Sequence, residues 1–286
     1  MGEPLVESIE LYNGVKIPKL GLGLFLMKDE AELVNAVKYA VEVGYRHFDT
    51  AKIYGNEAYL ARGLKEAGIK REDVFITSKV WNYDEGYEPT KAAFQESINL
   101  LETDYLDLYL IHWATPKYVE TWKAIVELYE EGKIKAIGVS NFQIHHLEEF
   151  KNQGLVQPMI NQIETHPELP QNELHEYMKE NGIIHEAWGP LGQGKSELLN
   201  HPILTEIGKK YFKTPAQVII RWHLDRGEVV IPKSTHENRI LENSNVFDFS
   251  LTKEEIQQID TLETGTRYGS NPDNQEKIQQ TLIRPV

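Results

Sequence analysis

Asp107-Leu108-Tyr109-Leu110-Ile111-His112-Trp113, a helical stretch, and then Ala136-Ile137-Gly138-Val139-Ser140-Asn141 make up one complete strand, helix, strand unit. Between the two runs, Trp122, Ile125, Val126 and Tyr129 recur at i, i+3, i+4 and i+7. That spacing gives one face of a helix, which Gly132 can end in the left-handed conformation. Both flanking runs are apolar almost without alternation, as parallel strands are when covered on both faces.

The unit repeats along the chain. Val37, Ala40, Val41 and Gly44 form a second such face, and Leu174, Tyr177 and Met178 a third, ahead of Asn181-Gly182. Strands are read from near Leu20, His47, Val74, Asp107, Ala136, Met159, Ile183 and Val229, preceded by a hairpin turning at Asn13-Gly14. Every interval is long enough for a crossover helix and a parallel return. Eight such units predict an α/β fold, a (β/α)8 barrel filling residues 1–286 as one domain, with C-terminal loops and tail over the rim. A doubly wound sheet is the alternative.

Composition narrows the function classes. The 286 residues hold 30 Lys and Arg against 44 Asp and Glu, a net charge of −14, and no cysteine. Disulfides, thiol nucleophiles and thiolate metal sites are therefore excluded. The acidic balance argues against a nucleic-acid partner, which needs clustered cations. No run approaches the roughly 20 apolar residues of a membrane span, and Met1-Gly2-Glu3-Pro4-Leu5 has no secretory pattern. A cytoplasmic monomer is the expectation.

In a barrel, the residues where strands end converge on one rim. Those ends carry Asp49, Lys79, His112, Ser140-Asn141, Gln162, Trp188 and Lys233-Ser234, with Tyr54 in the loop after the second strand. Taken singly, each has a plain structural reading: Asp49 as a helix cap, Tyr54 as a turn aromatic, Lys79 as a snorkelling strand end, His112 as a core histidine. Together they suit proton delivery to a carbonyl that is receiving a hydride. An ammonium near a phenol favours the phenolate, so Lys79 should lower the pKa of Tyr54 from its ordinary ~10. Asp49 would hold the lysine, and His112 would orient the carbonyl oxygen.

The run Asp49-Thr50-Ala51-Lys52-Ile53-Tyr54-Gly55-Asn56-Glu57, then Lys79, then Asp107 to Trp113, resembles the aldo-keto reductase superfamily. Gly132 to Phe142 and Asn161-Gln162-Ile163-Glu164 are similar to its next signatures. Glu186-Ala187-Trp188-Gly189-Pro190-Leu191-Gly192-Gln193-Gly194-Lys195 most resembles the bacterial 2,5-diketo-D-gluconate reductase branch. The resemblance implies an NADP(H)-dependent carbonyl reductase. It makes Tyr54 the general acid, Lys79 the group that tunes it, Asp49 the lysine's partner and His112 the substrate-orienting group. For the cofactor it implies Asp49, Ser140, Asn141 and Gln162 at the nicotinamide, Trp188 stacked on the ring, and Gly189, Leu191 and Gln193 at the pyrophosphate. Lys233, Ser234 and Arg239 would meet the 2′-phosphate, and Glu242 and Asn243 the adenine. Substrate would touch Phe25, Tyr54, Trp81, His112 and Trp113.

Two motifs point elsewhere. Gly21-Leu22-Gly23-Leu24-Phe25-Leu26 lacks the third glycine of a dinucleotide fingerprint. Gly189 to Ser196 satisfies the P-loop pattern G-x-x-x-x-G-K-[ST] in full, which would make the chain a nucleotide triphosphatase. The helix that pattern requires meets Pro202 within two turns. A non-catalytic NADP(H)-binding barrel would need a broken tetrad, and all four residues are present. A metal site from His112, His166 and His185 follows no ligand spacing. Leu24 and Ala114 depart from the family pattern, at positions expected to border the substrate cavity.

Overall fold

The computed structural model describes residues 2–5 and 7–284. A hairpin opens the chain, β1 (Ser8–Glu10) pairing antiparallel with β2 (Lys16–Pro18). Its turn is where Asn13-Gly14 placed it, with Gly14 at φ 88°. The eight barrel strands follow: β3 (Leu22–Gly23), β4 (His47–Asp49), β5 (Phe75–Val80), β6 (Leu106–Ile111), β7 (Ile134–Ser140), β8 (Ile160–Glu164), β9 (Ile184–Trp188) and β10 (Val229–Val230). They are parallel and adjacent in chain order. The ring is completed by a parallel bridge between Leu20 and Val230, with Gly21 N donating to Val230 O at 2.9 Å and Val230 N to Lys19 O at 2.8 Å. The strands begin within two residues of their expected starts, and the doubly wound alternative falls on this closed order.

β5 and β6 are buried at every position, as expected of parallel strands covered on both faces. Helices α1 (Glu30–Glu42), α2 (Glu57–Ala67), α3 (Tyr87–Leu100), α4 (Tyr118–Glu130), α5 (Ile144–Asn152) and α6 (Asn172–Glu180) fill the first crossovers. The apolar stripe on α4 turns Trp122, Ile125 and Leu128 inward, and Trp122 stacks on Phe150 of α5 at 5.1 Å. Truncating a side chain of that size to alanine costs about 3–5 kcal/mol. The long interval before β10 holds two helices, α7 (Pro202–Tyr211) and α8 (Pro215–Asp225). Thr214 starts α8 through a reciprocal capping box with Gln217. These two helices pack a second apolar cluster around Leu204, Val218 and Trp222.

The hairpin sits under the N-terminal ends of the strands, where Asn13 Nδ2 donates to Lys135 O and the Tyr12 hydroxyl to Gln157 O. The opposite, C-terminal rim is left to the βα loops. After α9 (Glu237–Ser244) and α10 (Lys253–Asp260), the tail crosses that rim and ends in α11 (Gln275–Gln280). Among the described residues, no helix is long and apolar enough to cross a membrane.

Candidate active site

The C-terminal rim gathers the expected residues because each is the last inward-facing residue of its strand or opens the loop beyond. Asp49 ends β4, Lys79 lies next to the end of β5, His112 follows β6, and Tyr54 closes a 3-10 turn, Lys52–Tyr54, just after β4. Lys79 is wholly buried. Its Nζ donates to Asp49 Oδ1 at 2.6 Å and to Thr50 O at 2.9 Å, and reaches the Tyr54 oxygen at 3.4 Å. The Tyr54 ring meets His112 edge-on with centroids 5.8 Å apart.

Electrostatics assign the protons. Burial disfavours the Lys79 ammonium, but its anionic surroundings, Asp49 first, outweigh that and hold its pKa above the ordinary value. Burial and the neighbouring Lys79 push His112 well below the usual histidine range, so its ring is neutral, and Nδ1 is a buried atom with no hydrogen-bond partner. For Tyr54 the expectation needs correcting. Burial raises its pKa, Lys79 only opposes that rise, and the net direction is upward. The phenol therefore carries its proton at neutral pH, as a proton donor must.

Beside this group lies a second constellation. Ser140 ends β7, Gln162 sits within β8 and Trp188 ends β9. Ser140 Oγ donates to Gln162 O at 2.7 Å, and Gln162 Nε2 donates to Asp49 Oδ2 at 2.7 Å. Asn141 adopts a left-handed backbone, φ 60°, which costs a non-glycine residue strain and needs support from its surroundings. That support is its own side chain: Nδ2 donates to His112 O at 3.0 Å, and Oδ1 accepts from Trp188 Nε1 at 2.9 Å. Five strands, β4, β6, β7, β8 and β9, are thus joined into one polar surface.

Gly189 to Ser196 is a tight loop, with Gly192 at φ 76° and Gln193 at φ 55°, but no α-helix starts at Lys195-Ser196. Lys195 Nζ binds Tyr268 O, and Ser196 Oγ binds Glu168. A P-loop needs its lysine and serine at a helix N-terminus, so the triphosphatase reading falls. Lys233 and Ser234 follow β10, and Arg239 lies on α9. Lys233 and Arg239 are exposed and form no ion pair among the described residues. Asn243 is buried nearby on the same helix, while Glu242 accepts from Thr214 Oγ1.

Phe25 is exposed and packs on Tyr54 at 5.2 Å, Trp81 meets His112 at 5.0 Å, and Trp113 is half-buried. Leu24 and Ala114 are buried within the fold. His112, His166 and His185 do not converge on a common point among the described residues. His185 instead meets His175 and Glu228 near the N-terminal ends of β9 and β10.

The sequence reading missed Glu164, the last residue of β8. Its buried carboxylate accepts from Tyr268 N at 2.6 Å and Gly269 N at 3.1 Å, which pins the tail across the rim. Burial would raise its pKa, yet His166 and these two amides outweigh that and hold it below the ordinary value. Gly269 then presses on the indole, since a Cβ there would collide with Trp188 Cη2. The available signal was a carboxylate as the last residue of a strand, two residues after Gln162 and so on the same face.

The residue types present suit a phosphorylated dinucleotide: two free cations at one end, glycine-rich backbone in the middle, and amide, hydroxyl and indole groups beside Lys79. Known proteins agree with the fold. Residues 19–264 match the aldo/keto reductase family. The oxidoreductase YtbE of Bacillus subtilis (strain 168) is 56% identical over 269 residues, covering 92% of this chain and 95% of that one. The glyoxal reductase of the same organism is 52% identical over 274 residues, covering 96% and 99%. The crystal structure of the Bombyx mori aldo-keto reductase in complex with NADP superposes with a TM-score of 0.88 at 33% identity, covering 93% of this chain and 95% of that one.

Proposed function

The chain belongs to the aldo/keto reductase family, and from that membership we propose that it reduces small aldehydes and ketones, of dicarbonyl or keto-sugar type, with NADPH. The observation that carries the reading is Lys79 Nζ held between Asp49 Oδ1 at 2.6 Å and the Tyr54 oxygen at 3.4 Å, beneath a neutral His112. NADPH would supply the hydride. Lys233, Ser234 and Arg239 would take its 2′-phosphate, Glu242 and Asn243 its adenine, and Gly189, Leu191 and Gln193 its pyrophosphate. Ser140, Asn141 and Gln162 would take the carboxamide, with Trp188 against the ring.

The remaining chemistry is proton placement. A carbonyl oxygen seated between Tyr54 and His112 gains charge as it is reduced, and the Tyr54 hydroxyl gives it a proton. The phenolate left behind faces the Lys79 ammonium, which Asp49 and the Thr50 carbonyl hold in place. His112, neutral, serves as a hydrogen-bond donor to the substrate oxygen rather than as an acid. Phe25, Trp81 and Trp113 offer flat apolar walls that fit a small substrate. The glyoxal reductase relative supports the dicarbonyl choice.

The test is a carbonyl panel with NADPH and NADH as alternative donors, run on wild type and Tyr54→Phe. Loss of turnover with NADPH binding retained is expected. An active Tyr54→Phe variant, or ATP hydrolysis without carbonyl reduction, would overturn the reading.

A further inference from the structure

Below the site, inside the barrel, lies a carboxyl group that the proton delivery just described does not use. Glu186 is the third residue of β9 and has no solvent exposure, and neither of its oxygens has a hydrogen-bond partner among the described residues. The polar atom facing it is His47 Nε2 of β4, 3.6 Å from Oε1. His47 Nδ1 is turned to Pro18 O, and burial takes the ring's pKa down to about 4, so His47 brings no charge. Gln162 of β8 stands opposite Glu186 in the strand register; its amide donates to Asp49 Oδ2 at 2.7 Å and only partly offsets the effect of burial on Glu186. Thr77 of β5 is neutral, and β10 contributes only Val229 and Val230. The charged or titratable groups that act on Glu186 are thus Asp49 and Lys79, with Tyr54 beyond them and the uncharged His47 beside it.

Two carboxyls therefore share one ammonium in a space closed to water. Asp49 has it, at 2.6 Å with a second acceptor bond from Gln162. A second buried anion without a cation of its own is costly, so Glu186 keeps its proton.

We propose that Glu186 is a positioning residue for proton delivery: while un-ionised it leaves Lys79 to Asp49 and Tyr54, and its ionisation disables the donor. The inference rests on the carbonyl-reductase reading above. The event is loss of one proton from Glu186 to solvent base, with no other bond changed. The new anion pulls on Lys79 and disfavours the Tyr54 phenolate, so the phenol gives up its proton less readily. Burial, reinforced by Asp49, lifts the Glu186 carboxyl to about 8, which sets the pH at which this occurs.

The experiment compares the shape of kcat against pH in wild type and Glu186→Gln, each normalised to its own value near pH 7. Wild type should fall about tenfold by pH ~9, one unit past the midpoint, while Glu186→Gln should stay nearly flat there. Glu186→Met, similar in volume and without an ionisable group, serves if the glutamine variant fails to fold. In parallel, the infrared C=O stretch of a protonated carboxyl is followed on the whole chain without substrate. A band that the variant lacks should disappear between about pH 7 and pH 9. The same basic limb in variant and wild type, or no such band, overturns the proposal. A chain that shows the titrating band but reduces no carbonyl at any pH refutes the reductase reading alone.

Discussion

Asp49 and Lys79 form an ion pair 2.6 Å long in the barrel interior, with 2% and 0% of their side chains exposed. A pair so placed is an arrangement for charge and position more than for stability, because desolvating both groups offsets most of their attraction. Removing one partner is another matter. Asp49→Asn leaves the buried ammonium without the carboxylate bonded to it and should lower unfolding free energy by about 3–5 kcal/mol, most of it recovered in Asp49→Asn/Lys79→Met. Turnover should fall by roughly a hundredfold or more in both variants. Denaturant unfolding beside steady-state kinetics separates the two effects, and a double variant that regains activity would contradict a role for this pair in proton delivery.

Lys233 and Arg239 stand exposed beyond the end of β10 without acidic partners among the described residues. Charge-assisted hydrogen bonds are worth about 1.5–3 kcal/mol, so Arg239→Ala should weaken NADPH binding by roughly ten- to a hundredfold. NADH binding should change little. Fluorescence titration with both dinucleotides checks this, and equal losses for the two would place the 2′-phosphate elsewhere.

The tail's hold on the rim is equally open to test. Glu164→Gln removes the charge that accepts the amides of Tyr268 and Gly269, so amide exchange at those residues should speed up. Gly269→Ala should displace the Trp188 indole, since its Cβ would run into the ring, and should weaken cofactor binding more than it weakens folding. Tryptophan emission and NADPH affinity are the readouts. An unchanged affinity in Gly269→Ala would detach the tail from the cofactor site.

These contacts mark the limit of what the sequence could reveal. The barrel was legible because some strands are nearly continuous apolar runs and some helices have a periodic face, as in Leu108 to Ile111 and Trp122 to Tyr129. The tetrad was legible because strand ends share a rim whatever the loops do. The tail was not, since Tyr268 and Glu164 are 104 residues apart and nothing local announces their contact. The phosphate-loop pattern at Gly189 to Ser196 misled because a pattern records residue types and not whether a helix starts after them. The direction of Tyr54's shift also depended on burial, which spacing along a chain does not report.

Acid should destabilise the fold early. Burial lowers His185 to about 3 and His47 to about 4, so the folded chain binds these protons later than the unfolded chain, whose histidines titrate near ~6.5. The unfolded state then carries more protons, and stability falls as pH drops from about 6.5 toward those values, by about 1.4 kcal/mol per unit for each such ring. Urea unfolding across that range should show the slope, and His185→Asn should reduce it by close to one proton. An unchanged slope would mean that His185 already carries a proton in the folded chain.

The bridge between Leu20 and Val230 also sets a timetable. It joins the first barrel strand to the last, so a chain leaving the ribosome cannot complete the ring until nearly all of it has been made. Until then β3 and the newest strand present open edges, the surfaces most inclined to pair with other chains. β10 is two residues long, and Lys233 and Ser234 follow shortly after it. The event that shuts the ring therefore also sets these two residues at the rim, and a nascent chain has no complete form of the proposed 2′-phosphate site until it is safe from mispairing.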